Sequence, residues 1–415
     1  MELLHAGLNW LFLLMQGLTG AIGLYQIVLS FFGLWRREEK IIHAPSKKFA
    51  VLVAAHNEED VIAPLVDNLL RLDYPKELFD LYVICDNCND QTADIVRANG
   101  ARAMERFDME NRGKGFAIEW MLDQLWAGDK RYDAVVMFDA DNLASPNFLR
   151  VMNEKLCQGK KVIQGYLDIK NPMDSWVSVS LAIAYWFTNR MWQLARYNLG
   201  LSCALGGTGL CVDMALLQEI GWGATGLTED LEFGVRCVER GIFPTWAHDA
   251  KVFDEKPIHL LPSMRQRLRW MQGHFNCASA HMMPLLVKSF RMRSLAMFDA
   301  ALYLFQPMRF LMLFGTSFVL FVHIAWPSLW NVSRFTDLLP MNFWIIVNVL
   351  LFLQMPLAMY LEKANWRAYF GLLLFPIFSV TWFPVTFKAF FTRKNSVWAH
   401  TVHTRAIRLE ELEIR

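Results

Sequence analysis

A charge-free run near the start of the chain constrains its fold more than any other feature. From Leu8 to Trp35 there is no acidic or basic residue, and Arg36, Arg37 and Lys40 follow at once. The run is long enough to cross a bilayer with some tilt. In hydrocarbon a lone span must satisfy its backbone groups internally, so it is helical. The basic residues behind it predict a following domain in the cytosol and an amino terminus outside. A cleaved signal peptide is disfavoured, because the run is too long and its charges stand on the wrong side. Three more apolar segments, near 298–326, 343–361 and 369–391, are each long enough to span. Four crossings would put the tail outside, whereas Lys388, Arg393, Lys394 and Arg405 favour a cytosolic tail. Pro376 and Pro384 reconcile the two by marking the last segment as broken or re-entrant. The expected organisation is a membrane segment at 1–40, a cytosolic domain at 41–260, interfacial helices at 261–297, membrane segments at 298–391 and a cytosolic tail at 392–415.

Composition agrees with an integral membrane protein, since 54% of the 415 residues are hydrophobic. A formal net charge of +1 supplies no basic surplus, so no nucleic-acid partner is expected. Cys85 and Cys88 form a C-x-x-C without a second pair or histidines at zinc spacing. They read as a strand-end thiol pair with no redox role in a reducing compartment. Asn331-Val332-Ser333 is formally a glycosylation sequon and reads as chance.

Lys48 to about Lys256 alternates strand and helix patterns, which predicts right-handed β-α-β crossovers and a mainly parallel sheet. Phe49–Ala55 and Leu81–Cys85 read as strands, each ending in polar turns, His56–Asp60 and Asp86–Asp90. Asn111-Arg112-Gly113-Lys114-Gly115 opens a helix from Phe116 to Trp126. The third strand, Ala134–Phe138, runs into Asp139-Ala140-Asp141. Acids at the carboxyl edge of a parallel sheet face the ligand crevice, and hard oxygen donors suit Mg²⁺ or Mn²⁺. No G-x-G-x-x-G follows the first strand and no P-loop occurs, which disfavours a dinucleotide-binding dehydrogenase and a P-loop NTPase. Residues 176–201 carry Trp186, Arg190, Trp192 and Arg196 among apolar residues, the pattern of an interfacial helix or of a packed amphipathic one. Gly206-Gly207-Thr208-Gly209 is small enough for a ligand to approach the backbone. Thr228-Glu229-Asp230 starts a helix with acids in its first turn. Arg265 to Trp270 is a dense basic stretch ending in tryptophan, suited to a phosphate or to a membrane surface.

Taken in order, Ala55-His56-Asn57-Glu58-Glu59, Asp86, Gly113-Lys114-Gly115, Asp139-Ala140-Asp141, Thr228-Glu229-Asp230 and Gln266-Arg267-Leu268-Arg269-Trp270 form one set. It resembles that of the family 2 glycosyltransferases, above all the membrane-integrated branch of cellulose, hyaluronan, chitin and poly-N-acetylglucosamine synthases. The resemblance spans about Lys48 to Trp270 and implies a GT-A fold, a Rossmann-like mixed and mainly parallel sheet. It implies inverting transfer of a hexose or N-acetylhexosamine from a UDP-sugar, with Asp230 as the general base. Asp139 and Asp141 are expected to hold Mg²⁺ or Mn²⁺. Ala55, Glu58, Asp86, Lys114, Asp139, Gln266, Arg267 and Arg269 are expected to bind the nucleotide sugar, and Gly207, Thr208, Glu229 and Trp270 the acceptor. The Q-x-x-R-W motif favours a processive polysaccharide synthase of the inner membrane; one-sugar transfer to a lipid is the alternative. Two departures stand out: His56 replaces a frequent aromatic residue, and a single amino-terminal span implies a minimal translocation channel or an accessory subunit. The tail around Trp398, His400 and His403 is expected to gate the donor site.

Overall fold

The computed structural model describes residues 2–326, 341–394 and 405–412. The sequon at Asn331 and the gate residues Trp398, His400 and His403 lie outside the described residues. The first span is helix α1 (Glu2–Phe31). A linker then docks on the catalytic domain, where the Glu154 carboxylate accepts the Ile42 and His43 backbone N–H groups at 2.9 Å each.

The domain alternates β1 (Phe49–Ala55), α2 (Ile62–Leu70), β2 (Phe79–Asp86), α3 (Thr92–Ala98), β3 (Arg102–Arg106), α4 (Lys114–Ala127) and β4 (Ala134–Asp139). Strands β1, β2, β3 and β4 pair in parallel, so the crossovers bring the carboxyl ends of β1, β2 and β4 to one edge. The second half comprises β5 (Leu143–Ala144), α5 (Phe148–Cys157), β6 (Val162–Ile169), α6 (Trp176–Phe187), α7 (Leu194–Asn198), β7 (Leu210–Asp213), α8 (Met214–Ile220), α9 (Glu229–Glu239) and β8 (Thr245–Asp254). The sheet order is β3-β2-β1-β4-β7-β6-β8-β5, with β7 antiparallel to both of its neighbours. Alternate residues of β1 serve two cores: Phe49, Val51 and Val53 face one, Ala50 and Leu52 the other. That two-sided burial is why the parallel strands read as unbroken apolar runs.

The 176–201 stretch is not one helix lying on a surface. A π-helical turn at Thr188–Gln193 separates α6 from α7, and the segment is packed between the sheet and the membrane helices. The turn carries Arg190, whose guanidinium donates to the Gly33 and Leu34 carbonyls at 2.7 and 2.8 Å. Its other arm reaches Glu362 at 3.3 Å, where Tyr166 of β6 also donates at 2.9 Å. The end of the first span and the segment at Glu362 are thus tied to the sheet through buried polar bonds, which are costly to leave unpaired.

Beyond the domain, α10 (Leu260–Arg291) is one long helix and α11 (Leu295–Leu304) packs beneath it. The expected span at 298–326 therefore starts later, as α12 (Gln306–Ala325), because Ser294 caps α11 and Phe305 ends it. Then come α13 (Met341–Leu361), a 3₁₀ turn (Trp366–Phe370), α14 (Gly371–Val380) and α15 (Trp382–Thr392). Among the described residues, three helical stretches are long and apolar enough to cross a bilayer: Ala6–Phe31, Gln306–Ala325 and Trp366–Thr392. The last is broken at Thr381, as its prolines suggest. Glu362, just before this stretch, meets Tyr166 of β6, and at its far end the Thr392 hydroxyl accepts from Gln272 of α10 at 2.8 Å. Arg405 lies on the same side, its N–H donating to Glu255 at 3.1 Å.

Candidate active site

The carboxyl edge of β1, β2 and β4 opens into a cleft of about 430 Å³, closed on its far side by α9, α10 and α11. Its size is that of a pocket for one drug-sized ligand or larger. At one end the strand tips supply Ala55, Glu58 and Asp86. The Asp86 carboxylate accepts from Arg106 at 2.6 Å, and its carbonyl accepts from His56 Nδ1 at 2.7 Å. Asn57 adopts φ of 55°, which turns the chain sharply after β1 and leaves the buried Glu58 N–H to donate to Thr92 Oγ1 at 2.9 Å.

Lys114, the first residue of α4, stands at the centre. Its ammonium donates to the Gly207 carbonyl at 2.6 Å and to Asp139, and lies 3.7 Å from Glu229. Burial alone would push it down, but Asp139 and Glu229 hold it above its ordinary pKa. The close fit needs Gly115. A Cβ there would come 3.0 Å from Thr225 Cα and closer still to the Ala224 carbonyl oxygen. The turn before α9 is thereby pressed against the start of α4.

Asp139 ends β4, and its backbone N–H is held by Asn142 and Thr208 side chains at 3.0 and 3.2 Å. Asp141 is buried; its Oδ2 accepts the Glu255 N–H at 2.8 Å and its Oδ1 the Asn142 amide at 3.1 Å. Asp254 at the end of β8 joins them. Burial, then Asp141 and Asp139, push its carboxyl up to about 6 against the pull of Lys256, and its Oδ1 is buried without a partner. These are hard oxygen donors, and carboxylates outnumber cationic side chains around the cleft, so a divalent cation fits the chemistry. Among the described residues no three His, Cys, Asp or Glu side chains close a cage alone. A cation here would complete its shell with oxygens of a ligand, as Mg²⁺ does at phosphates.

Opposite these acids, Glu229 and Asp230 open α9. Thr228 sits at the N-cap position, yet its side chain makes no capping bond. Burial first, then Asp230, push the Glu229 carboxyl up to about 7 against Lys114. Burial also raises Asp230, aided by Asp139 and opposed by the Leu231 N–H and Lys114. A side chain on Gly207 would stand 3.5 Å from Asp230 Oδ2, which places the small-residue loop directly before this carboxylate. Thr208 holds the loop through its carbonyl, which accepts from Gln164 at 2.8 Å.

The basic motif divides. Gln266, Arg269 and Trp270 line the cleft, whereas Arg267 does not. It is wholly buried, stacked 4.4 Å from the Phe378 ring centroid and 4.8 Å from that of Trp382, and it donates to Thr381 at 3.0 Å. The expected donor contact is corrected by packing: Trp270, Met271 and His274, three, four and seven residues on, line the cleft from the same side of α10, but at Arg267 that side is covered by the break between α14 and α15. Arg267 clasps the break between α14 and α15 instead.

Cleft residues absent from the sequence motifs are Tyr185 of α6, His274 of α10, Tyr303 of α11, Asp254 and Lys256. His274 is neutral, since burial pushes its imidazole down to about 4. The D-E-K sequence after β8 had a signal in its charge density, but the aromatic residues had none, being single rings in apolar helices.

Comparison with known proteins bears on the whole arrangement. The family described as "Glycosyltransferase like family 2" matches residues 45–273. A β-monoglucosyldiacylglycerol synthase of Nostoc sp. is 28% identical over 286 residues, covering 64% of this chain and 57% of that protein. A poly-β-1,6-N-acetyl-D-glucosamine synthase of Staphylococcus aureus is 25% identical over 271 residues, covering 61% and 62%. The chain thus spans less than two thirds of either relative. A mannosyltransferase of Pyrobaculum calidifontis, solved with GDP-Man and Mn²⁺, shares the fold with a TM-score of 0.55 at 16% identity, covering 89% of this chain and 99% of that one. The cleft is built on a GT-A sheet, and the chain belongs to glycosyltransferase family 2.

Proposed function

We propose that the protein is an inverting, metal-dependent hexosyltransferase that moves a hexose or N-acetylhexosamine from a UDP-sugar to the hydroxyl end of a growing β-linked glycan. One observation carries the reading: Asp230, with its burial-raised carboxyl, faces the Gly207 loop across from Lys114 and the Asp139–Asp141 acids in a single cleft. Glu58 and Asp86, with the Ala55 backbone, cradle the uridine. Lys114 and Arg269 neutralise the diphosphate, and Asp139 and Asp141 hold Mg²⁺ or Mn²⁺, which offsets charge on the leaving group. The acceptor sugar lies on Trp270, with Gly207, Thr208 and Glu229 around its reacting end. Asp230 takes the proton of the acceptor hydroxyl as its oxygen bonds to the anomeric carbon; the bond to the diphosphate breaks on the opposite face, so configuration inverts. Catalysis takes place on the cytosolic side of the plasma membrane.

A second reading is that one sugar is added to a membrane lipid. The name of the Nostoc relative points this way. Product size separates the two. Purified protein given labelled UDP-sugars with Mn²⁺ is expected to yield a polymer; a single-sugar, lipid-extractable product would establish the second reading instead.

A further inference from the structure

Lys256 is buried in the cleft wall, 3% exposed, in a position the reaction above does not use. The Asn171 side chain clamps its backbone from both sides, accepting its N–H and donating to its carbonyl at 2.9 Å each. Its ammonium donates to Asp254 and to the Tyr185 hydroxyl at 3.0 Å, and lies 4.3 Å from the Tyr185 ring centroid and 5.5 Å from that of Trp270. Two of the three N–H bonds are thereby taken; the third has no acceptor among the described residues. Burying an ammonium is unfavourable and one carboxylate offsets only part of the cost, so an aliphatic side chain would pack this wall more easily.

We propose that Lys256 is an acceptor-binding residue, donating its free N–H to a hydroxyl of the sugar seated on Trp270, and that the acceptor is therefore a sugar and not an isolated lipid alcohol. The proposal rests on the transferase reading and deepens it. A pyranose over an indole presents several hydroxyls around its rim, so one can face Asp230 while a neighbour accepts from Lys256. Diacylglycerol has a single hydroxyl, which must face the base, and leaves the ammonium only the ester oxygens of its flexible acyl arms. Site recognition of this kind discriminates strongly, because the buried donor goes unpaired with the wrong ligand.

The test uses membranes containing the full chain, labelled UDP-glucose or UDP-N-acetylglucosamine with Mn²⁺, and the ratio of sugar incorporated into product to UDP released. Lys256→Met is expected to lower that ratio at least tenfold and Lys256→Arg to recover part of it, with melting temperature checking the fold. An unchanged ratio in folded Lys256→Met overturns the proposal. Should that variant fail to fold, Tyr185→Phe keeps the charge and removes its hydroxyl partner; a severalfold fall supports the proposal and none overturns it. Labelled sugar recovered on dioleoylglycerol, supplied in vesicles to the unmodified protein, also overturns it. Absence of UDP release by the unmodified protein sinks the transferase reading and this proposal together, whereas release with an unchanged ratio sinks Lys256 alone.

Discussion

Gly273 of α10 packs against Thr228, and replacing it tests how Asp230, the proposed base, is held. A Cβ built at Gly273 would stand 2.5 Å from Thr228 Cγ2 and 2.9 Å from Thr228 Cβ, with the hydroxyl closer still. Carbon atoms rest at about 3.5–4.0 Å, so Gly273→Ala must drive Thr228 and α10 apart by about 1 Å. Thr228 directly precedes Glu229 and Asp230, and Gly115 presses the same turn from the other side, so the strain cannot relax away from the base. A displacement of about 1 Å at a reacting group costs about a hundredfold in rate, equivalent to about 2.7 kcal/mol of barrier. Overpacking should cost the fold about 1–3 kcal/mol, visible as a lower melting temperature. The assay is kcat for UDP release beside that of the parent. The double variant Gly273→Ala with Thr228→Ala removes the hydroxyl and Cγ2 contacts and leaves only the one at 2.9 Å, so it should regain at least tenfold. Parental kcat in Gly273→Ala, or no recovery in the double variant, would refute the clamp.

Other changes read separate parts of the account. Arg269→Met should raise the KM for the donor at least tenfold, whereas Arg267→Met should leave it within twofold and lower the melting temperature by loosening the α14–α15 break; equal effects on KM would restore Arg267 to the cleft. Asp141→Asn should weaken Mn²⁺ binding to the protein and UDP together at least tenfold, followed by the signal of free Mn²⁺ in electron paramagnetic resonance. Glu229 is predicted to destabilise the fold as pH rises. Its folded pKa of about 7 lies above an unfolded value near 4.5, so the native state holds an extra proton between them and loses stability across that window. Glu229→Gln should therefore melt higher than the parent by a few degrees at pH 8 and by little at pH 4. A difference independent of pH would show the carboxyl to be ordinary.

The parts legible in the sequence were those where one local rule decides. Strands β1, β2 and β4 are buried on both faces and read as apolar runs; acids at their ends followed. By contrast, β3 is Arg102-Ala103-Met104-Glu105-Arg106, an edge strand with Arg102 and Glu105 exposed, and no apolar run marks it. The antiparallel β7 is only four residues long and sits between strands that are distant in the chain. Helical periodicity does not separate Arg267 from the cleft residues, because Trp270 and His274 lie three and seven positions on; only the packing of Phe378 and Trp382, distant in the chain, covers it. Tyr185, Lys256 and Tyr303 come from three elements spread over more than a hundred residues. Only tertiary packing brings them to one wall, with Tyr185 bonded to Lys256 and α11 packed on α9 and α10, and no local pattern encodes that. Of the two readings of 176–201, an interfacial helix or a packed amphipathic one, the segment matches the packed one, but neither anticipates the π-helical turn that delivers Arg190 to Gly33 and Glu362, both far away in sequence.

The central claim is that this cleft transfers sugar with Asp230 as base. The most direct measurement is UDP release from UDP-glucose and UDP-N-acetylglucosamine with Mn²⁺, comparing the purified parent with Asp230→Asn, alongside UDP affinity for both. The account predicts turnover of at least one donor by the parent, a loss of at least a thousandfold in Asp230→Asn, and UDP affinity preserved within a few-fold. Turnover retained by Asp230→Asn would contradict it.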